Sequence, residues 1–347
     1  MKQSPKKCFF TKTDFSIRYN TRPENTKTEN GGILIMQQLE TVGKIRENMK
    51  KTMVGKDRVI DLMLIALICS GHVLIEDVPG LGKTALVSAL ADSLGCSFKR
   101  IQFTPDVLPS DITGFNIYNM NTGKKEFQPG LIMNNIILAD EINRTTPKTQ
   151  SALLEAMQER QVTVEGATIK LKRPFMVLAT QNPVDMAGTY PLPEAQLDRF
   201  LMKISIGYPS AEEELGILLQ HKTGQSYLKT SPVASAEDVV LLQDSLYDIH
   251  CGSDIMRYII SVAEKTRSHP EVLVGVSPRG SIALFHAACA HAMISGREYC
   301  TPDDVKAVAI PVLQHRIIVK SRISQRNISA VKVVEEVLSS VDVPRAR

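Results

Sequence analysis

Apolar positions in this chain follow two regimes that change over near residue 209. Before that point, short apolar runs at 73–75, 136–139 and 175–180 are continuous enough to be central strands of a parallel sheet, buried on both faces. Each run ends in polar residues, where an α/β sheet presents its ligand edge. Helical periodicity covers 37–51, breaks at Val54-Gly55, resumes through Cys69, and returns over 85–94. The segment 161–171 alternates around Glu165-Gly166 and predicts a hairpin. After Tyr208-Pro209 the strand signals stop, and helices are predicted over 211–220, 236–248, 254–266, 281–294 and from Asp303 onward. The expectation is an α/β unit over 36–208, a helical unit over 209–319 and a partly helical tail over 320–347.

Residues 1–35 carry no sustained period and predict a disordered basic tail. Of 41 Lys and Arg and 37 Asp and Glu, seven bases and three acids fall in this tail, so the rest is balanced at 34 of each. A net charge of +4 therefore describes the tail, and a neutral body argues against nucleic acid as a partner. Met36 is an alternative start for translation. No apolar run reaches the length of a membrane span; the most apolar, 59–69, contains Asp61. The six cysteines form no close pairs and predict reduced thiols in a cytoplasmic protein. His286, Cys289 and His291 are metal-capable, but their spacing does not put all three on one helix face, and the alanine-rich segment reads better as a packed helix.

The chemistry concentrates where the strand at 73–75 runs into Asp77-Val78-Pro79-Gly80-Leu81-Gly82-Lys83-Thr84-Ala85. A glycine loop between strand and helix aims backbone N–H groups at an anion, and the helix N-terminus adds partial positive charge. Gly80 and Gly82 permit close approach to phosphate, Lys83 can reach the β and γ phosphates of ATP, and the Thr84 hydroxyl can ligate Mg²⁺. Asp77 stands where the full phosphate-loop pattern has glycine. Downstream, the strand ending in Asp140-Glu141 delivers two carboxylates: one for the Mg²⁺ shell through water, one to polarise an attacking water. Asn182 follows the third strand and is either a ligand of water or γ-phosphate or a plain turn residue before Pro183. Ser277-Pro278-Arg279 reads as N-cap, first helical residue and a cation at the end of a helix that disfavours cations. A nearby phosphate would explain it.

Together these residues resemble the AAA+ superfamily, and within it the MoxR family, over roughly 37–319. The resemblance rests on the blocks at 72–84, 138–144, 148–159, 179–183 and 191–200. It implies a P-loop AAA+ parallel sheet flanked by helices and followed by a small all-helical lid. It also implies roles by position: Lys83 and Thr84 in Walker A, Asp140 and Glu141 in Walker B, Asn182 as sensor 1, Arg279 as sensor 2, and Arg199 as the arginine finger to a neighbouring subunit. Val54-Gly55 matches the segment against the adenine, and Asp77 is the family's usual variant. Arg144 is a second intersubunit candidate, unless a local salt bridge accounts for it. The hairpin at 161–171 and the segment 105–129 correspond to family insertions. By resemblance the chain is a chaperone-like ATPase acting as a ring, expected to be a hexamer, on a partner complex, often with a von Willebrand factor A domain protein and in some cases for metal-cofactor insertion. A chelatase motor subunit is the alternative, and a nucleotide-gated scaffold without turnover a further one.

Overall fold

The computed structural model describes residues 30–53, 55–183, 188–222, 230–320 and 329–344. Most of the expected basic tail and Val54 therefore lie outside the described residues. In chain order, α1 (Asn30–Lys50) and α2 (Asp57–Ile68) lead into β1 (Val73–Glu76) and α3 (Lys83–Ser93). Then come β2 (Phe98–Gln102), α4 (Pro109–Thr113), β3 (Gly114–Asn119), β4 (Lys124–Pro129), β5 (Ile136–Asp140) and α5 (Pro147–Glu159). The α/β part closes with β6 (Gln161–Val164), β7 (Ala167–Lys170), β8 (Met176–Gln181), α6 (Glu194–Leu197) and β9 (Met202–Ile204). The remainder comprises α7 (Ala211–Lys222), α8 (Ala236–Ser245), α9 (Ser253–Arg267), β10 (Val272–Val274), α10 (Pro278–Ile294), α11 (Pro302–Leu313), β11 (Ile318–Val319) and α12 (Ala330–Ser340).

Five strands form one parallel sheet in the order β2-β5-β8-β1-β9. Their alternate side chains feed two cores. Val73, Ile75, Ile136, Leu138, Met176 and Leu178 enter the larger one on the face covered by α2 and α3. Leu74, Ile137, Ala139, Val177 and Ala179 enter the other, against α5 and Phe103. Burial on both faces is why these strands read as unbroken apolar runs. His72, at the foot of β1, is fixed as a neutral ring: its Nδ1 accepts from Val177 N at 3.0 Å, and its Nε2 donates to Met157 O at 3.1 Å. Burial pushes its pKa down to about 4.

Two features differ from the sequence expectations. Helix α1 begins at Asn30 and takes in the last six residues of the expected tail. The segment after 209 is not wholly helical, because β10 and β11 pair antiparallel between α9 and the chain beyond α11. The insertion at 105–129 is built from α4 and the hairpin β3–β4. The second hairpin, β6–β7, turns where expected, with Glu165 and Gly166 both left-handed at φ +47° and +84°. The expected C-terminal tail contains α12, whose Val333, Val334 and Val337 are fully buried in the same core as α9 and α11.

Candidate nucleotide site

Parallel topology brings the sequence-predicted residues to one edge. With β8 between β1 and β5, the loop after β1, the carboxylates at the end of β5 and Asn182 after β8 all leave the sheet at its C-terminal side. Gly80 and Gly82 have φ of +88° and +79°, and Gly82 is itself the residue that caps α3. Both angles lie in the left-handed region that glycine occupies without strain. Around Gly80 a Cβ would meet nothing within 4 Å, so the loop is open on that side. Met53, next to Val54, lies against Gly82, with its Cε 3.8 Å from where a Cβ would be. Gly55 is left-handed, and a side chain there would collide with Glu213.

Lys83 Nζ donates to the Asp77 carbonyl at 2.6 Å. Burial lowers the ammonium from its ordinary pKa, opposed by the negative charges of Asp77, Asp140 and Glu141. The Asp77 carboxylate is engaged away from the glycine loop. It accepts from Ser205 Oγ at 2.7 Å and Ile206 N at 2.5 Å, tying the start of the loop to the chain after β9. That contact explains aspartate where the general loop pattern has glycine.

Asp140 and Glu141 are held by residues that sequence reasoning missed. Thr180 Oγ1 donates to Asp140 Oδ1 at 2.6 Å and accepts from Glu141 N at 2.8 Å. Arg100 on β2 donates to Asp140 Oδ2 at 2.6 Å, and Gln102 donates to Glu141 Oε2 at 2.9 Å. Glu141 adopts φ +56°, uncommon outside glycine, so its direction is set by the fold. Arg144 Nε lies 2.9 Å from Glu141 Oε2, so this arginine has a local salt bridge within the chain.

Arg199 and Arg279 occupy neighbouring segments. Among the described residues neither side chain takes part in an ion pair, and Arg279 is exposed at the second position of α10, behind the Ser277 cap. Asp198, the natural surface partner for Arg199, is instead bound by Arg316 at 2.8 Å, with Ser277 Oγ 3.5 Å away. Arg316 is buried and also donates to the carbonyls of Phe200 at 2.6 Å, Leu201 at 3.0 Å and Val312. Gly280 packs closely here: a Cβ there would lie 2.6 Å from Val276 Cγ1 and 3.0 Å from Arg316 Cδ. No motif marks Arg316, which follows α11 as an isolated basic residue.

Comparison with known proteins bears on the family and the fold. Residues 72–202 match the model of the ATPase family associated with various cellular activities, and residues 264–337 match the AAA lid domain. The chaperone MoxR1 of Mycobacterium tuberculosis is 38% identical over 94% of this chain and 89% of its own length. This chain belongs to the MoxR family of AAA+ ATPases. A further relative, the uncharacterized protein YeaC of Bacillus subtilis, is 52% identical over 88% of this chain and 96% of its own. The crystal structure of a candidate ATPase from Cytophaga hutchinsonii superposes with a TM-score of 0.85 at 38% identity, covering 91% of this chain and 98% of that one. Among the described residues no helix is long and apolar enough to cross a membrane.

Proposed function

We propose that this MoxR-family chain hydrolyses ATP between β1, β5 and β8 and uses the cycle to remodel a partner protein complex. The observation that carries the reading is the convergence, on one sheet edge, of an open left-handed glycine loop, Lys83 at a helix start, and the paired carboxylates Asp140 and Glu141. Backbone N–H groups from Pro79 to Ala85, except that of Pro79 itself, are the anion cradle for the phosphates, and Lys83 neutralises the β and γ groups as a point charge. By the family resemblance Val54 and Gly55 are assigned to the adenine, and Met53, the residue before them, rests on Gly82. The oxygen donors of Thr84 and Asp140 suit Mg²⁺, with Asp140 acting through water as the resemblance implies. When bound, Mg²⁺ supplies charge neutralisation at the phosphate oxygens. Glu141 orients and polarises the attacking water, and Asn182 fixes that water or the γ-phosphate. Arg279 binds the γ-phosphate from the helical side, and Arg199 reaches the ATP of a neighbouring subunit in a ring, with six subunits as the working expectation. A von Willebrand factor A domain protein is the partner this reading favours.

Two substitutions separate binding from chemistry. Lys83→Ala should abolish saturable binding of a fluorescent ATP analogue at concentrations that fill the wild-type site. Glu141→Gln should bind the analogue normally and release phosphate far more slowly. Unchanged affinity in the first, or near-normal turnover in the second, removes that residue from its role.

A further inference from the structure

Three cysteines far apart in sequence meet inside the helical part of the chain. The Sγ atoms of Cys251, Cys289 and Cys300 all lie within 4.8 Å of one another. Cys251 sits in the turn before α9, Cys289 within α10, and Cys300 just before the Thr301 cap of α11. The two loop positions are held in register by backbone contacts. Cys300 N donates to His250 O at 2.9 Å, and His250 N donates to Glu298 O at 2.8 Å. All three thiols are buried, at 8%, 1% and 6% exposure. The histidines once grouped with Cys289 by sequence go elsewhere: His286 packs against the rings of Tyr247 and Phe285, and His291 bonds to Asp304 at 2.6 Å.

A thiolate–metal bond of about 2.3 Å places sulfurs on one ion roughly 3.8–4.0 Å apart in tetrahedral or trigonal geometry. The observed cluster needs at most a small closure to reach that spacing. Beside it lies a completed polar network: Asp304, with no exposed surface, is bonded by Arg297, His291 and both the N–H and hydroxyl of Thr301. This network fixes the residue next to Cys300 and places a guanidinium on the loop carrying that cysteine, as outer partners of a negatively charged thiolate site do. Three small apolar thiols could also fill a core. Their convergence from three separate segments, with the two loops bonded side by side, is the arrangement a metal clamp requires.

We propose that Cys251, Cys289 and Cys300 bind one thiophilic d¹⁰ ion, Zn²⁺ or Cu⁺, which ties the approaches to α9 and α11 onto α10. The site is separate from the nucleotide edge and does not depend on the reading given there. The test uses the tag-free full chain, reduced and stripped with a chelator, without nucleotide. Co²⁺ titration should give a thiolate charge-transfer band saturating at one equivalent and bleached by Zn²⁺. Competition for Zn²⁺ against a chromophoric chelator, and for Cu⁺ against bicinchoninate under argon, tells the two ions apart. Cys251→Ser and Cys300→Ser, both in loops, should each weaken binding by more than about tenfold, and Cys289→Ala should do the same if it folds by circular dichroism. Failure of the wild-type chain to bind either ion stoichiometrically overturns the proposal. So does binding without a thiolate band, or loop variants that bind as tightly as wild type.

Discussion

Replacing Arg316 by Met keeps most of the buried stem and removes the guanidinium, which isolates what the charge does. In the structure that group is 3% exposed and bonds Asp198 and the carbonyls of Phe200, Leu201 and Val312. Removing one partner of a buried ion pair costs about 3–5 kcal/mol, because the other charge stays behind unpaired. Asp198 is 23% exposed and can recruit water, which places the cost near the lower end, about 3 kcal/mol. The lost carbonyl contacts, each to a charged donor, contribute up to about 1.5–3 kcal/mol each, and not additively. Urea unfolding of wild type, Arg316→Met, Asp198→Asn and the double variant closes a cycle. The double variant should be less damaged than the sum of the single ones by about 1–3 kcal/mol. A loss below about 1 kcal/mol for Arg316→Met, or strictly additive costs, would show that the contact is incidental. A second readout concerns the loop itself: ATP affinity should hold while turnover falls, since Arg199 follows Asp198 directly.

Other outcomes follow from the same geometry. Arg199→Ala should keep nucleotide affinity yet lose turnover by about 10³-fold or more, and mixing it with Lys83→Ala should restore some activity through interfaces where an intact arginine faces an intact loop; normal turnover by Arg199→Ala under assembling conditions moves the role elsewhere. Arg144→Ala, which frees Glu141 from its salt bridge, should not be rescued by mixing with Lys83→Ala, because its contact lies within one subunit. His72 is buried neutral with a pKa near 4 against an ordinary value of 6.5. Above about pH 6.5 it contributes no pH dependence; as pH falls from there to about 4 the unfolded chain takes up the proton first, and stability drops by up to about 3 kcal/mol. Urea midpoints across that window should fall less steeply in His72→Gln than in wild type, and parallel profiles would refute the assignment.

What could be read from sequence followed burial. Strands β1, β5 and β8 occupy the middle of the sheet, so both faces demand apolar residues and the runs stand out. The edge strand β2 does not, because Lys99, Arg100 and Gln102 are exposed along it, and β9 is only three residues long. Strands β3 and β4 lie outside both cores, with Phe115, Ile117 and Tyr118 exposed, so no hydrophobic period marks them. The glycine loop before α3 and Asp140-Glu141 stand out in the sequence as contiguous motifs. Their supports, Arg100, Gln102 and Thr180, do not, since they come from neighbouring strands and are joined to the carboxylates only by sheet register. The cysteine cluster escaped for a similar reason: spacing along one helix can be counted, but the packing of two loops onto it cannot.

The position of Asp198 gives a physical route between the two halves of the molecule. On one side, the chain from Asp198 to Leu201 leads into β9, the direct neighbour of β1, and Leu201 N donates to His72 O at 2.8 Å where β1 begins. On the other side, Arg316 reaches Asp198 from the end of α11 while packing on Gly280, the residue after Arg279. A helical part that shifted relative to the sheet would have to carry Arg316 with it or leave a buried charge without its partner. The first would move Asp198 and so Arg199; the second is costly. Among the described contacts, this pair therefore makes the position of Arg199 depend on that of the helical part. It also explains why loss of Arg316 should damage turnover and leave the phosphate loop, held separately through Asp77, Ser205 and Ile206, able to bind ATP.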